Sequence, residues 1–336
     1  MEISVTFLSD LQSYRIEKPY ELYLPTEPSV ARTNCQFTEH DKITIRDIRY
    51  EDTSKFDLNT SSFKFVKHSS SKLPTSSLFN NAENANFKLV PYLEETAALV
   101  KSQLGASHVV CFDWRYRRNS TRVKRPHVYD EPTTERNATL SPAHIAHIDE
   151  SRAEGFRKLS VYLGRDELET FDLQNWRIVL INVWRPLVPV VENAPLAFCD
   201  QRTVEFNSLL DCDKVHVDHV TEGIYLLHDT EQKWYWMSRQ TSSDPVLFSS
   251  WDSTTEPGGI ASFGIVKAEA YIHCVHHMIS ASRAALGPIR NNNTIPAQIQ
   301  HLTRNPATIP HGLEEAEGAP QRESIEVRSI AIIRKT

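Results

Sequence analysis

Residues 176–185, Trp-Arg-Ile-Val-Leu-Ile-Asn-Val-Trp-Arg, form an apolar run rich in β-branched and aromatic side chains, closed by Pro186 and Pro189. Such a run, bounded by proline, reads as a strand buried on both faces. The pattern downstream is all β. Short apolar segments at Pro195–Cys199, Gly223–His228, Lys233–Ser238, Pro245–Trp251 and Glu323–Ile333 are separated by turn-forming residues. Many short strands punctuated in this way indicate a sandwich, a barrel or a jelly roll.

Upstream, residues 143–149 (AHIAHID) read as another strand and 151–163 as a helix. A second helix is expected to start near Pro91, which suits a first turn. Leu93, Ala97, Val100 and Leu104 form its stripe, and Gly105 fits its C-terminal cap. His108–Phe112 then reads as a buried strand, and Lys42–Arg46 alternates as a strand does. The Ser- and Asn-rich stretch 67–88 is expected to be a surface loop. The segment from about 264 to 309 breaks the rhythm. Its stripe Ile265, Ala268, Ile272, Val275, Ile279 predicts an amphipathic helix.

Composition excludes several classes. A net charge of -6 argues against a nucleic-acid binder. The basic run Arg115–Arg118, continued at Arg122–Arg125, reads as a solvated loop or as a rim attracting an anionic substrate. No run approaches the ~18 apolar residues of a membrane span. The five cysteines are scattered without a CxxC pair, as expected of reduced thiols. Together with an N-terminus that lacks signal-peptide character, they predict a cytoplasmic protein.

The chemistry is concentrated in two half-motifs. His147 and Asp149 stand at i and i+2 on a strand and so project to one face, where they can grip a single ion. Two histidines and one carboxylate form the facial triad of a non-haem Fe(II) oxygenase, which leaves the opposite coordination positions open. The third ligand must come from a distant strand. The candidate is His311, because Arg322 follows eleven residues later and Ser324 two after that. An arginine fork and a hydroxyl on one strand face suit the far carboxylate of 2-oxoglutarate. A second His-x-Asp, His216 and Asp218, lies in a polar stretch without a partner motif. His273 and His277, one helical turn apart, could bind a metal together, but His273, Cys274, His276 and His277 lack an HExxH arrangement and lie in the segment that reads as an amphipathic helix. Arg185 meets either an acidic substrate or a core partner. Trp184, Trp234 and Trp236 are expected in the core.

Several stretches together resemble a known family: ITIRDIR (43–49), FKFVKH (63–68), GASHVVCFDWRYRRN (105–119), AHIDES (146–151), INVWRP (181–186), FCDQRTV (198–204), the Trp234-Tyr235 region and RESIEVR (322–328). The chain is similar to microbial, largely fungal, oxygenases of secondary metabolism grouped with the aspergillic-acid-cluster hydroxylase, the gibberellin desaturase and CmcJ. The resemblance implies a mainly β fold with flanking helices, a double-stranded β-helix (jelly roll, cupin-like). It also implies Fe(II), 2-oxoglutarate and O2. By position, His147 and Asp149 match the family's His-x-Asp, His311 its Pro-His, and Arg322 its 2-oxoglutarate arginine. In the family the Pro-His follows shortly after the strand ending in Asp-Ser, whereas here some 58 residues separate Ser253 from His311.

The expected organisation is one oxygenase domain over residues 1–336. Residues 1–140 pack as strands and a helix on a jelly-roll core of 141–253 and 310–333, with 264–309 as an insertion. The expected activity is hydroxylation, desaturation or ring closure on a small secondary-metabolite or amino-acid-derived substrate, with no nucleic acid or membrane as partner. Two other readings compete. A zinc hydrolase could use the same triad but leaves Arg322 and Ser324 unexplained. An inactive binding protein would result if the insertion misplaced His311.

Overall fold

The computed structural model describes residues 1–80, 82–119, 143–254, 267–269 and 321–335, and all of them fall in one compact unit. They build two sheets. The larger runs in the order β1 (Glu2–Leu8), β3 (Phe37–Asp47), β11 (Trp234–Trp236), β8 (Leu196–Cys199), β13 (Lys267–Glu269), β6 (His147–Ile148), β10 (Val220–Leu226), β9 (Leu209–His216) and β2 (Tyr20–Tyr23). The smaller runs β4 (Phe63–Phe65), β12 (Val246–Asp252), β7 (Trp176–Pro186), β14 (Glu323–Arg334) and β5 (His108–Arg118). Neighbours in space are mostly distant in sequence, as the crossing connections of a jelly roll require.

The sheets share an interior. Phe63, Trp184, Val246 and Phe248 from the smaller sheet meet Phe198 and Tyr235 from the larger one. Each such side chain, moved from water to a dry interior, contributes about 1.5–3 kcal/mol. The stretch that decided the reading, β7, is the central rail of the smaller sheet. It pairs with β14 without a break from Ser324↔Pro186 to Arg334↔Trp176. It is buried from Ile178 to Pro186, as its apolar run predicted.

Helices cover the outside and one end. α1 (Ala82–Leu104) lays Leu99 and Val100 on Val179, Ile181, Val183 and Leu247. α2 (Arg152–Tyr162), followed by the short α3 (Arg165–Thr170), packs Leu159 and Leu163 on Ile178, Leu180, Trp251 and Ile330. Gly155 is required where α2 crosses the sheet: a Cβ there would stand 2.2 Å from the Trp251 indole nitrogen.

Four expectations are corrected. α1 starts inside the stretch read as a surface loop, and Ser76–Asn80 form a helical turn before it, so Pro91 is mid-helix rather than in the first turn. The helix tolerates it because Phe87 and Pro91 lie on its exposed face, where water can satisfy the carbonyl that proline leaves without a donor. Gly105 does cap the helix, at φ +62°. Arg115–Arg118 are not a loop: they continue β5, which pairs with β14 across Arg118↔Glu323 to His108↔Ile332. Lys267–Glu269 form a strand, not a helical turn, because backbone pairing with Ala197 and Leu196 overrides the local stripe. Most of 264–309 lies outside the described residues, as do Arg122–Arg125.

Candidate active site

β6 is only two residues long, yet it sets the geometry. Ile148 enters an apolar cluster with Ala146, Ile224 and Leu226, which forces His147 and Asp149 to the opposite face by the two-residue period of a strand. His147 Nε2 stands 3.6 Å from Asp149 Oδ1. His147 Nδ1 lies 2.7 Å from the Ile145 carbonyl, which can only accept. The proton therefore sits on Nδ1, and the Nε2 lone pair is left pointing where Asp149 points.

Three donors hold the Asp149 carboxylate. Lys267 Nζ donates to Oδ2 at 2.7 Å and Asn182 Nδ2 to the same oxygen at 3.0 Å. Arg328 donates to Oδ1 at 3.3 Å, and the unprotonated Nε2 of His147 faces that same oxygen at 3.6 Å. Burial alone would raise this carboxyl's pKa. Lys267 and Arg328 outweigh burial and hold it well below the ordinary carboxylate range. Glu326 belongs to the same network. It accepts from Lys267 at 3.1 Å, Arg328 at 3.1 Å and Asn182 at 3.3 Å. Its pKa too is lowered against burial, by Lys267 and Arg328. Arg328 loses proton affinity to burial but regains more from Asp149, Glu326 and Asp113, so it is held firmly charged.

The row along β14 explains the rest. Ser324, Glu326 and Arg328 alternate with Ile325 and Val327, which face α1 with Tyr92 and Trp114. β5 mirrors this: Asp113 and Arg115 share the inner face, 3.1 Å apart, and Arg328 reaches Asp113 at 3.7 Å. Just before β14, Arg322 is 1% exposed. Its guanidinium lies 5.7 Å from the centre of the Trp184 ring and donates to the Ala194 carbonyl at 3.0 Å. Ser324 is equally buried, and its hydroxyl has no hydrogen-bond partner among the described residues.

The structure therefore brings His147 to Asp149 and sets Arg322 and Ser324 further along the inner row. His311, and the histidines 273, 276 and 277, lie outside the described residues. Among the described residues no group of three or more His, Cys, Asp and Glu is placed to hold a metal ion. The second His-x-Asp does not form a pair: His216 stacks on His219 and Tyr23, while the 83% exposed Asp218 bonds His219. Arg185 is a structural pin, fully buried and donating to Tyr92 Oη, the Ser242 carbonyl and His68. Trp184, Trp234 and Trp236 are core, as expected. The four described cysteines are free thiols.

Four members of the network were not anticipated beside Asp149: Asn182, Lys267, Glu326 and Arg328. All but Lys267 had a readable signal. A polar residue at every second position of RESIEVR, and a lone Asn inside an apolar run, mark an inner face that is built for something polar. Lys267 had none, because its strand is imposed by its neighbours.

A family model described as "Oxidoreductase/YMDC permease-like domain" matches residues 5–268. The Fe(II)/2-oxoglutarate-dependent dioxygenase nvfI of Aspergillus novofumigatus is 32% identical over 241 residues, covering 70% of this chain and 80% of that one. The chain belongs to the Fe(II)/2-oxoglutarate-dependent dioxygenases. The hydroxylase/desaturase CTB9 of Cercospora beticola is 28% identical over 208 residues, 59% of this chain and 61% of that one. A solved structure of the iron and alpha-ketoglutarate-dependent endoperoxidase NvfI superposes with a TM-score of 0.69 at 24% identity, covering 100% of this chain and 98% of that one. This dioxygenase thus has the jelly-roll fold, is an oxidoreductase acting on small molecules, and draws on Fe(II), 2-oxoglutarate and O2. The zinc hydrolase and the inactive binding protein are not what its relatives are. No helix among its described residues is long and apolar enough to cross a membrane.

The residues present fit an iron centre on the side that is described. The Nδ1–H tautomer of His147 frees one nitrogen lone pair, and an ionised carboxylate stands beside it. The buried Ser324 hydroxyl, near an Arg that is itself charged and buried, fits one end of a dicarboxylate.

Proposed function

We propose that His147, Asp149 and His311 hold the iron of this dioxygenase, and that Arg322 and Ser324 bind the far carboxylate of 2-oxoglutarate. The observation that carries this reading is the orientation of His147 by Ile145 beside Asp149, on the same interior that Ser324 faces. Glu326 is level with the metal-binding pair, since Lys267 touches both it and Asp149. Ser324 lies two residues along β14, about 7 Å at a strand's rise, a reach that suits a five-carbon dicarboxylate anchored at both ends. Trp184 under the Arg322 guanidinium excludes water from that end.

Iron with 2-oxoglutarate supplies the activation of dioxygen that attacks an unactivated C–H bond. The chain's own residues do the positioning. His147 keeps its proton on Nδ1, Asp149 stays ionised, and Asn182 and Arg328 fix the Asp149 rotamer. The substrate is a small, carboxylate-bearing secondary metabolite or amino-acid derivative. In support, the half-buried Arg115 stands on the inner face of β5 with Asp113 and Glu326 as well as Arg328 and Arg117 about it, a lining that suits a polar, charged ligand. Hydroxylation, desaturation and ring closure remain equivalent for these residues.

We further propose that the oxygenase is a single domain over 1–336, with a jelly-roll core of 141–253 and 310–333, residues 1–140 adding strands and a helix to it, and 264–309 inserted but lending the larger sheet the strand Lys267–Glu269. The free thiols are those of a cytoplasmic protein that contacts neither nucleic acid nor membrane. The test is succinate release from 2-oxoglutarate with added Fe(II) and air. Iron-dependent release supports the reading; release without iron, or none at all, contradicts it.

A further inference from the structure

Asp149 is surrounded. Lys267 and Asn182 both donate to its Oδ2 and Arg328 to its Oδ1, while the unprotonated Nε2 of His147 faces Oδ1 at 3.6 Å, so a divalent cation arriving between His147 and Asp149 meets two cationic side chains already on the same carboxylate. Asn182 and Arg328 are fixed: they stand in register on the two central strands of the smaller sheet, and Arg328 is also held by Glu326 and Asp113. Lys267 differs. It sits on a three-residue strand inserted between β8 and β6, directly in register with His147, and only its flexible four-carbon stem connects it to the site.

Its ammonium also has somewhere else to be. Besides Asp149 it touches Glu326 at 3.1 Å, and it stands 4.6 Å from the centre of the Phe248 ring. Those two contacts can keep it when it lets go of Asp149.

We propose that Lys267 is an internal cation that competes with the metal for Asp149: in the metal-free enzyme it neutralises the carboxylate, and on metal loading it moves to Glu326 and the face of Phe248. The inference rests on the proposal that Asp149 is a metal ligand. A buried ammonium 2.7 Å from Asp149 repels an incoming divalent ion, so it lowers metal affinity by an amount its removal returns. The metal site is thereby prevented from collapsing or taking up a stray cation while empty of its own.

The experiment uses the full-length protein freed of metal and titrated with Mn(II), read by the electron paramagnetic resonance signal of free Mn(II). Lys267→Met and Lys267→Gln should bind Mn(II) at least tenfold more tightly than the parent. Lys267→Arg, which keeps the charge, should bind no more tightly. The Gln variant retains a donor for both carboxylates, and near-UV circular dichroism confirms that each variant is folded. Equal or weaker Mn(II) binding by the folded neutral variants overturns the proposal while leaving the metal site intact. Failure of the parent and all variants to bind Mn(II) overturns the metal reading itself, and this proposal with it.

Discussion

Asn182 stands directly across from Arg328 on neighbouring strands, and the two side chains meet at the Asp149 carboxylate. One strand pair thus delivers two donors to a residue on the opposite sheet. This ties the interior of the jelly roll to the face that carries His147 and Asp149. The Asn in an otherwise apolar run, which gives no strand advantage, is explained by that contact.

Asn182 is 1% exposed and serves Glu326 as well as Asp149. Asn182→Leu keeps the volume and removes the donor. Two buried carboxylate oxygens then each lose a bond, and stability should fall by about 1–3 kcal/mol. The urea midpoint of the metal-free protein measures it. An unchanged midpoint would show that the contact is incidental.

His147→Ala and Asp149→Ala should each abolish iron-dependent succinate release while the protein stays folded. His216→Ala should be nearly silent, because its ring is engaged with His219 and Tyr23. Were the His216 variant inactive and the His147 variant active, the wrong His-x-Asp would have been assigned.

Arg322→Ala should weaken 2-oxoglutarate far more than it weakens metal. Losing a charge-assisted pair to a buried carboxylate costs on the order of 2–5 kcal/mol. Calorimetric titration of the metal-loaded enzyme with 2-oxoglutarate decides the matter. Equal affinity in the variant would place the anchor on another residue.

Asp149 and Glu326 both have pKa values depressed by Lys267 and Arg328 against the effect of burial. A folded pKa below the unfolded value, about 3.9 for Asp and 4.3 for Glu, stabilises at higher pH. The contribution is fully present above about pH 5 and is lost as pH falls through 4 and below. Acid titration of the metal-free enzyme by near-UV circular dichroism should show this loss. Lys267→Met should move the acid midpoint to higher pH; a midpoint moved to lower pH would refute the electrostatic account.

Much of this was legible in the sequence, for physical reasons. β7 and β14 are long, buried and β-branched, so local preference and tertiary demand agree, and both strands appear where the pattern puts them. The His147–Asp149 pair was readable because a strand's period fixes which residues share a face. Other features depended on partners the sequence does not display. α1 runs through Pro91 because that position faces water, and Arg115 joins β5 because β14 offers it a ladder. The strand of Lys267 exists through pairing with β8 and β6, against its own helical stripe, and so the cation beside Asp149 could not be foreseen.

The most direct test of the central claim is anaerobic addition of Fe(II) and 2-oxoglutarate to the metal-free protein, watching for the weak visible charge-transfer band of the chelate. The band should appear with the parent and with His216→Ala, and should be absent with His147→Ala. A parent protein that shows no band, or a His147→Ala variant that keeps it, would contradict the assignment of the site.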